Sequence, residues 1–321
     1  MSSTRYFRRV LKITAEMSPN VRYARAQIAR GLQPTDEVVV PGVLPWSLYL
    51  RRRATWDKAR QSIGLDGEFY RGSELMLWPE EWLKHSAILY KALVNKGVRR
   101  QAEAIGIDPA EGGDKTAMAA VDKYGVIAIE SRKTPNTAEI TSEALGFMRF
   151  YGVRSENVLF DLGGGGKQHV DRLRAQGFKV RGVAFGESIT PELKKTHNRI
   201  EPYAGRLEMK EDRYVYRYRR DEMYGEMSLL CDPTGDNLGW AIPDEGEHFI
   251  ELRRQLANIP KCYDKEGRLS IPPKSRNRGQ EETKIKTLRE ILGCSPDEAD
   301  AVALAVHGML HPAKKVLMGA I

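Results

Sequence analysis

Cysteine is scarce in this chain. Three residues, Cys231, Cys262 and Cys294, stand far apart among 321 positions. An odd, scattered set excludes a disulfide framework and a cysteine zinc site, and suits reduced thiols in a cytosolic setting. Histidine is also thin, and its six residues suggest no metal-spaced pair. No run of 18 apolar residues occurs, so no membrane span is expected. The basic start, Met1 to Lys12, lacks the apolar stretch of a signal peptide. A Walker A loop is missing too. The nearest string, Asp161-Leu-Gly-Gly-Gly-Gly-Lys167-Gln168, lacks the first glycine and the Ser/Thr that would bind Mg²⁺. ATP-driven work by this chain alone is therefore not expected.

What is present is ordinary in bulk and uneven in detail. The 41% apolar and 29% charged content is that of a globular protein. Its length suits two domains, or one large domain with an extension. The net charge of +8, from 51 basic and 43 acidic residues, favours a polyanionic partner but is weak by itself. Residues 1–100 hold Arg5, Arg8, Arg9, Arg22, Arg25, Arg30, the run Arg51-Arg52-Arg53, Arg60, Arg99 and Arg100, with four of the five tryptophans. A helix is expected from Trp46 to about Ile63, and a short one entered through Trp78-Pro79-Glu80-Glu81-Trp82. This region reads either as a basic, aromatic-studded nucleic-acid surface or as a mainly helical extension. In the second reading most tryptophans are core and the arginines are solvated.

From residue 101 strands and helices alternate. Ala104–Asp108, Thr116–Val121 and Val126–Ser131 read as a three-strand meander. A helix follows from a capping-box-like start at Asn136 and Glu139, and Gly152 ends it. Val158–Asp161 reads as a strand buried on both faces, then a helix ending at Gly177, then a strand over Val180–Phe185. The order β-β-β-α-β-α-β is the ribonuclease H-like plan: a mixed α/β sheet flanked by helices.

Acidic residues sit where packing has little use for them. Asp108 and Asp161 each close an apolar strand. Near a C-terminal helix start, Ser295 is expected as N-cap, Pro296 as first helical residue and Glu298 as closer of a capping box. Asp297 and Asp300, three apart, share a face there. Hard oxygen ligands of this kind suit two Mg²⁺ or Mn²⁺ ions about 3.5–4 Å apart, the arrangement used for phosphodiester cleavage. Asp108 is expected to hold both ions, Asp161 one and Asp300 the other, with Asp297 auxiliary. Helix-dipole capping also accounts for Asp297, though poorly for Asp300.

These motifs, in order, resemble a known family. Ile105-Gly-Ile-Asp108-Pro-Ala-Glu-Gly-Gly-Asp-Lys-Thr116, Asp161-Leu-Gly-Gly-Gly-Gly166 and Ser295-Pro-Asp297-Glu-Ala-Asp300-Ala look like the nuclease domain of tailed-bacteriophage large terminase subunits. Arg219-Arg220-Asp221-Glu222-Met223-Tyr224 and Gly267 through Lys274 are similar to further pieces of it. The segments around Phe69-Tyr70 and Trp78 to Trp82 resemble its connector. The likeness covers about residues 101–311. It implies catalytic metal ligands at Asp108, Asp161 and Asp300, with Asp297 a ligand in some members. It also implies a Mg²⁺- or Mn²⁺-dependent endonuclease cutting concatemeric double-stranded DNA for genome packaging in the host cytoplasm. A separate packaging ATPase chain, a terminase small subunit and a portal are the partners it implies. The expected organisation is a basic region over 1–100, the nuclease over 101–312 and a tail over 313–321. Lys167, Lys194, Lys195, Arg219, Arg220, Lys274, Arg276 and Arg278 are candidate DNA contacts, and solvated surface is the plainer account of several.

Three other classes share parts of the pattern. A junction resolvase or transposase-type nuclease has the same fold and metals. A non-catalytic DNA- or procapsid-binding subunit would use the basic region alone. An actin- or hexokinase-type ATPase has similar strand-Asp-Gly loops, but the stretch from Asp108 to Asp161 is too short for the subdomain it would need.

Overall fold

A five-stranded mixed sheet, flanked by helices, organises the chain in this computed structural model. Residues 11–56, 58–68, 76–110, 112–191, 193–194, 214–234, 237–264, 268–275 and 286–313 are described. They fall into two compact units. One comprises residues 1–75, 190–215 and 263–268, and the other residues 76–189, 216–262 and 269–321.

The first unit is helical: α1 (Pro19–Ala29), α2 (Trp46–Thr55) and α3 (Lys58–Gly64). Its small core gathers Val21, Ala24, Trp46, Tyr49 and Leu65. The single helix expected over 46–63 is instead broken at Trp56, whose backbone is extended. The Gln61 side chain explains the break, because its amide donates to the carbonyls of Arg53 and Trp56 that the break leaves open. Arg25 pairs with Glu16 and Arg53 with Asp66, so these two arginines are partly spent inside the unit.

The second unit opens with α4 (Glu80–Asn95), much longer than the short helix expected. The strands are β1 (Ala104–Asp108), β2 (Lys115–Asp122), β3 (Gly125–Lys133), β4 (Val158–Asp161) and β5 (Arg181–Val183). Their order is β3-β2-β1-β4-β5, antiparallel through β1 and parallel from β1 to β5. That is the ribonuclease H-like plan. Strand β5 is shorter than expected, pairing with β4 at the sheet edge. Between the strands run α5 (Thr137–Phe150) and α6 (Gly166–Ala175). The Asn136 side chain caps α5 by accepting from Ala138 N and donating to Glu139. After the sheet come α7 (Arg219–Cys231), α8 (Glu247–Ala257), α9 (Leu288–Leu292) and α10 (Asp297–Leu310).

The two-residue period of a strand sorts the sheet faces. Ile105, Ile107, Met118, Ala120, Val158 and Phe160 point into one core with α5 and α6. Ala104, Gly106, Asp108, Leu159 and Asp161 take the opposite face. There lies α10, buried from Asp297 to Gly308. Such a helix is apolar nearly all round because it has no solvent side. It approaches so closely that a Cβ on Gly106 would meet Ala301 O at 2.1 Å. At the other end, Gly308 lies against Ala104 and Leu159. Helix α10 therefore runs opposite to β1, and its N-terminus comes to the C-terminal end of the strand.

The start of α10 departs from expectation. Pro296, not Ser295, is the N-cap, and no side chain caps the helix. Glu298 closes no capping box, because its carboxylate turns inward to accept from Gln255 at 2.6 Å. Gln255 in turn accepts from Ala299 N, so α8 satisfies the helix end that a cap would have served.

Candidate metal centre

Backbone pairing sets the first two acids side by side. Ile107 of β1 is in register with Phe160 of β4, so the next positions, Asp108 and Asp161, are neighbours on adjacent parallel strands. The ends of parallel strands, where connections diverge, are the usual ligand crevice of such sheets. Helix α10 brings Asp297 and Asp300 to the same place. Asp297 is fixed by accepting from Lys115 N at 3.1 Å, which ties α10 to the start of β2.

Lys274 sets an ammonium among these carboxylates. Lys274 Nζ is 3.0 Å from Asp108 Oδ2, 3.2 Å from Asp297 Oδ1 and 3.2 Å from Asp300 Oδ2. Asp297 Oδ1 and Asp300 Oδ2 are buried without a hydrogen-bond partner, so the ammonium gives them charge but not geometry. Asp300 is held from behind: the Tyr224 hydroxyl donates to its Oδ1 at 2.5 Å, and Arg220 stands 3.8 Å from the same oxygen. Arg220 also stacks over the Tyr224 ring and donates to Pro272 O. Beside the carboxylates opens a cavity of about 640 Å³, lined by Asp108, Asp161, Asp297, Lys274 and the glycines 163 and 164. Gly164 has φ +54°, a left-handed turn that keeps this wall free of side chains.

The electrostatics follow from burial. Burial pushes the Asp108 carboxyl well above the usual carboxylate range; Lys274 opposes this, while Asp300, Asp161 and Asp297 reinforce it. Burial lifts Asp161 to about 6 against the pull of the Gly163 N–H. Asp297 is also raised by burial, with Lys274 opposing. Burial would lower Lys274, but Asp300, Asp108 and Asp297 outweigh it and hold the ammonium charged. Burial and Asp300 keep Tyr224 a phenol. An acid raised in the folded state contributes stability below its unfolded pKa, which is lost as pH rises through the folded one. The advantage of Asp161→Asn over the parent should therefore grow between about pH 4 and pH 7 in urea unfolding with chelator present. A flat difference across that window would contradict the buried, raised carboxyl.

The structure thus brings Asp108, Asp161, Asp297 and Asp300 together and adds Lys274, Tyr224 and Arg220. Lys274 and Arg220, two of the candidate DNA contacts, both lie beside the acids. Arg219 is also turned inward, toward Glu222 and Glu187. Neither Arg219 nor Arg220 belongs to an outward basic face, since each side chain is about nine-tenths covered, at 12% and 11% exposure. Lys167, at the start of α6, and Lys194 are exposed. Lys195, Arg276 and Arg278 lie outside the described residues.

No protein-family model matches the chain, and no curated protein sequence does. Solved structures do. One is a lysine-to-alanine mutant of the nuclease domain of the large terminase subunit gp2 of bacterial virus Sf6, with manganese and beta-thujaplicinol. It matches with a TM-score of 0.53 at 20% identity, over 74% of this chain and 100% of that one. A calcium-containing mutant of the same bacteriophage Sf6 domain gives a TM-score of 0.53 at 19% identity, over 72% and 99%. A further structure of the Sf6 gp2 nuclease domain gives 0.51 at 20% identity, over 74% and 100%. The fold of this chain is that of the large-terminase nuclease domains.

Proposed function

We propose that this chain is a metal-dependent endodeoxyribonuclease of the genome-packaging terminase type, cutting concatemeric double-stranded DNA by phosphodiester hydrolysis. One observation carries the reading: four carboxylates converge at one sheet end, where two buried oxygens, Asp297 Oδ1 and Asp300 Oδ2, have the Lys274 ammonium at 3.2 Å but no well-formed hydrogen bond. A group that fits must be a cation that accepts only oxygen ligands. Lys274 already occupies such a position, and with Arg220 it offsets only part of the negative charge. Two Mg²⁺ or Mn²⁺ ions fit this donor set. Asp108 would hold both, Asp161 and Asp300 one each, and Asp297 would assist. Bound there, such ions supply Lewis acidity and neutralise charge on the phosphate.

The chain's own groups do the rest. Lys274 offers a fixed ammonium to a phosphate oxygen in the cavity. Tyr224 and Arg220 hold the Asp300 carboxylate in place. The bare glycine wall at 163 and 164 lets a sugar–phosphate backbone approach. Exposed Lys167 and Lys194 are candidate phosphate contacts, and the net charge of +8 supports a polyanionic substrate. A packaging ATPase chain, a small subunit and a portal are the proposed partners. No helix among the described residues is long and apolar enough to cross a membrane.

Tyr224→Phe should weaken Mn²⁺ binding by about 10- to 100-fold, as loss of a partner behind a ligand commonly does. Calorimetric titration checks this, and an unchanged affinity would remove Tyr224 from the centre. The cleavage reading itself is tested with supercoiled plasmid and a four-way junction. Mg²⁺ or Mn²⁺ should give nicked and linear plasmid, EDTA should stop it, and ATP should be irrelevant. EDTA-resistant cleavage, or none with either ion, would sink the reading. Preference for the junction would move it to a resolvase of the same fold.

A further inference from the structure

The same pair of helices that builds the acidic centre carries a second, chemically different cluster. Glu222 and Glu226 are four apart on α7, and His307 and His311 are four apart at the end of α10, so each pair shares a helix face. His307 and His311 have that spacing, and the fold supplies the carboxylates. One ligand atom from each of the four residues lies within 4.8 Å of all the others. His311 Nε2 is 2.8 Å from Glu226 Oε1 and 3.9 Å from Glu222 Oε1, and His307 Nδ1 is 3.5 Å from Glu226 Oε2. A tetrahedral ion with bonds near 2.0–2.1 Å would place its ligands about 3.4 Å apart. The spacings straddle that value, and modest side-chain rotation would close the set. Glu222 and His307 are buried, with Glu226 and His311 at the rim, which gives the cluster an entry side.

We infer that Glu222, Glu226, His307 and His311 form a structural site for a zinc-class divalent ion, separate from the acidic centre. Two imidazoles select against Mg²⁺ and Ca²⁺, which prefer oxygen, and favour zinc or its neighbours. Four protein ligands make a closed set, which is structural rather than catalytic. The ion would staple α7, which carries Tyr224, to α10, which carries Asp300, two turns from the carboxylates themselves. Arg219 is the built-in competitor. Its guanidinium is 3.5 Å from Glu222 Oε2 and 3.4 Å from His307 Nε2, with Glu187 at 3.4 Å as an alternative partner. The inference does not rest on the cleavage reading.

The test uses the full chain carrying Asp108→Asn and Asp161→Asn, so that the oxygen-only centre is disabled. Zn²⁺ is titrated against excess Mg²⁺, and bound metal is counted by mass spectrometry. One Zn²⁺ per chain is expected, with a rise in melting temperature. His311→Ala and the isosteric Glu226→Gln should each weaken binding at least tenfold, and Arg219→Gln should tighten it. Metal-free melting shows whether each variant folds. Should neither fold, Co²⁺ loaded into the Asp108→Asn, Asp161→Asn chain decides alone: a tetrahedral, nitrogen-ligated absorption spectrum supports the site. No Zn²⁺ bound in that background, binding unaffected by both folded variants, or a Co²⁺ spectrum without nitrogen ligation would overturn it.

Discussion

Asp108→Asn is expected to end metal-dependent DNA cleavage and, at the same time, to raise the melting temperature of the metal-free protein. The two effects share a cause. Burial and the neighbouring acids push this carboxyl well above the ordinary range, so its charged form is costly in the folded state near neutral pH. Asparagine keeps the shape, removes the charge and leaves Lys274 with Asp297 and Asp300. Cleavage should fall by about a thousandfold or more, the several kcal/mol that charge stabilisation by metal supplies to such reactions. Activity lost with stability gained is the signature of a site that stores repulsion for function. Plasmid cleavage in Mg²⁺ and thermal melting in EDTA measure the two halves. Cleavage within tenfold of the parent would remove Asp108 as a ligand.

Gly106→Ala should be the most damaging conservative change in the sheet. The added methyl would sit 2.1 Å from Ala301 O, 2.4 Å from Ala305 N and 2.7 Å from Leu304 Cβ. Helix backbone cannot swing aside as a side chain can, so α10 must lift off β1. Overpacking of this kind costs about 3 kcal/mol or more, which lowers the melting temperature by roughly 6–12 °C in a unit of this size. Lifting α10 also withdraws Asp297 and Asp300, so metal affinity should fall with stability. Gly146→Ala, in α5 with nothing within 4 Å, is the control. It should be neutral or slightly stabilising, since alanine is the better helix former. Equal loss in both variants would contradict the close contact.

The sequence makes the strand acids legible for a simple reason. A carboxylate closing an apolar strand has no packing role, and Asp108 and Asp161 both stand so. Asp300 is legible by its helical spacing from Asp297. What lies between these points is not local. Lys274 is 166 residues from Asp108, and nothing in its surroundings tells a surface lysine from one aimed at three acids. Tyr224 and Arg220 are recognisable as a motif, yet their bond to Asp300 depends on helix packing. Ser295 shows the opposite failure: its local capping pattern is sound, and α8 overrides it through Gln255. The four-residue spacing of His307 and His311 is local, but the carboxylate that joins them, Glu226, is 85 residues before His311.

The seating of α10 on β1 also bears on when the centre can exist. During synthesis, a chain that has emerged through β4 possesses Asp108 and Asp161 but not the helix that covers their face of the sheet. Lys115 must wait for Asp297, 182 residues later, before its amide finds that carboxylate. Closing so long a loop is slow, because its entropy is lost before the contact forms. Until α10 docks, half of the carboxylates are absent and the Gly106 face is open to water. Under the proposed function, a ribosome-bound chain would not yet cut nucleic acid, because the four-carboxylate centre is complete only once α10 has docked.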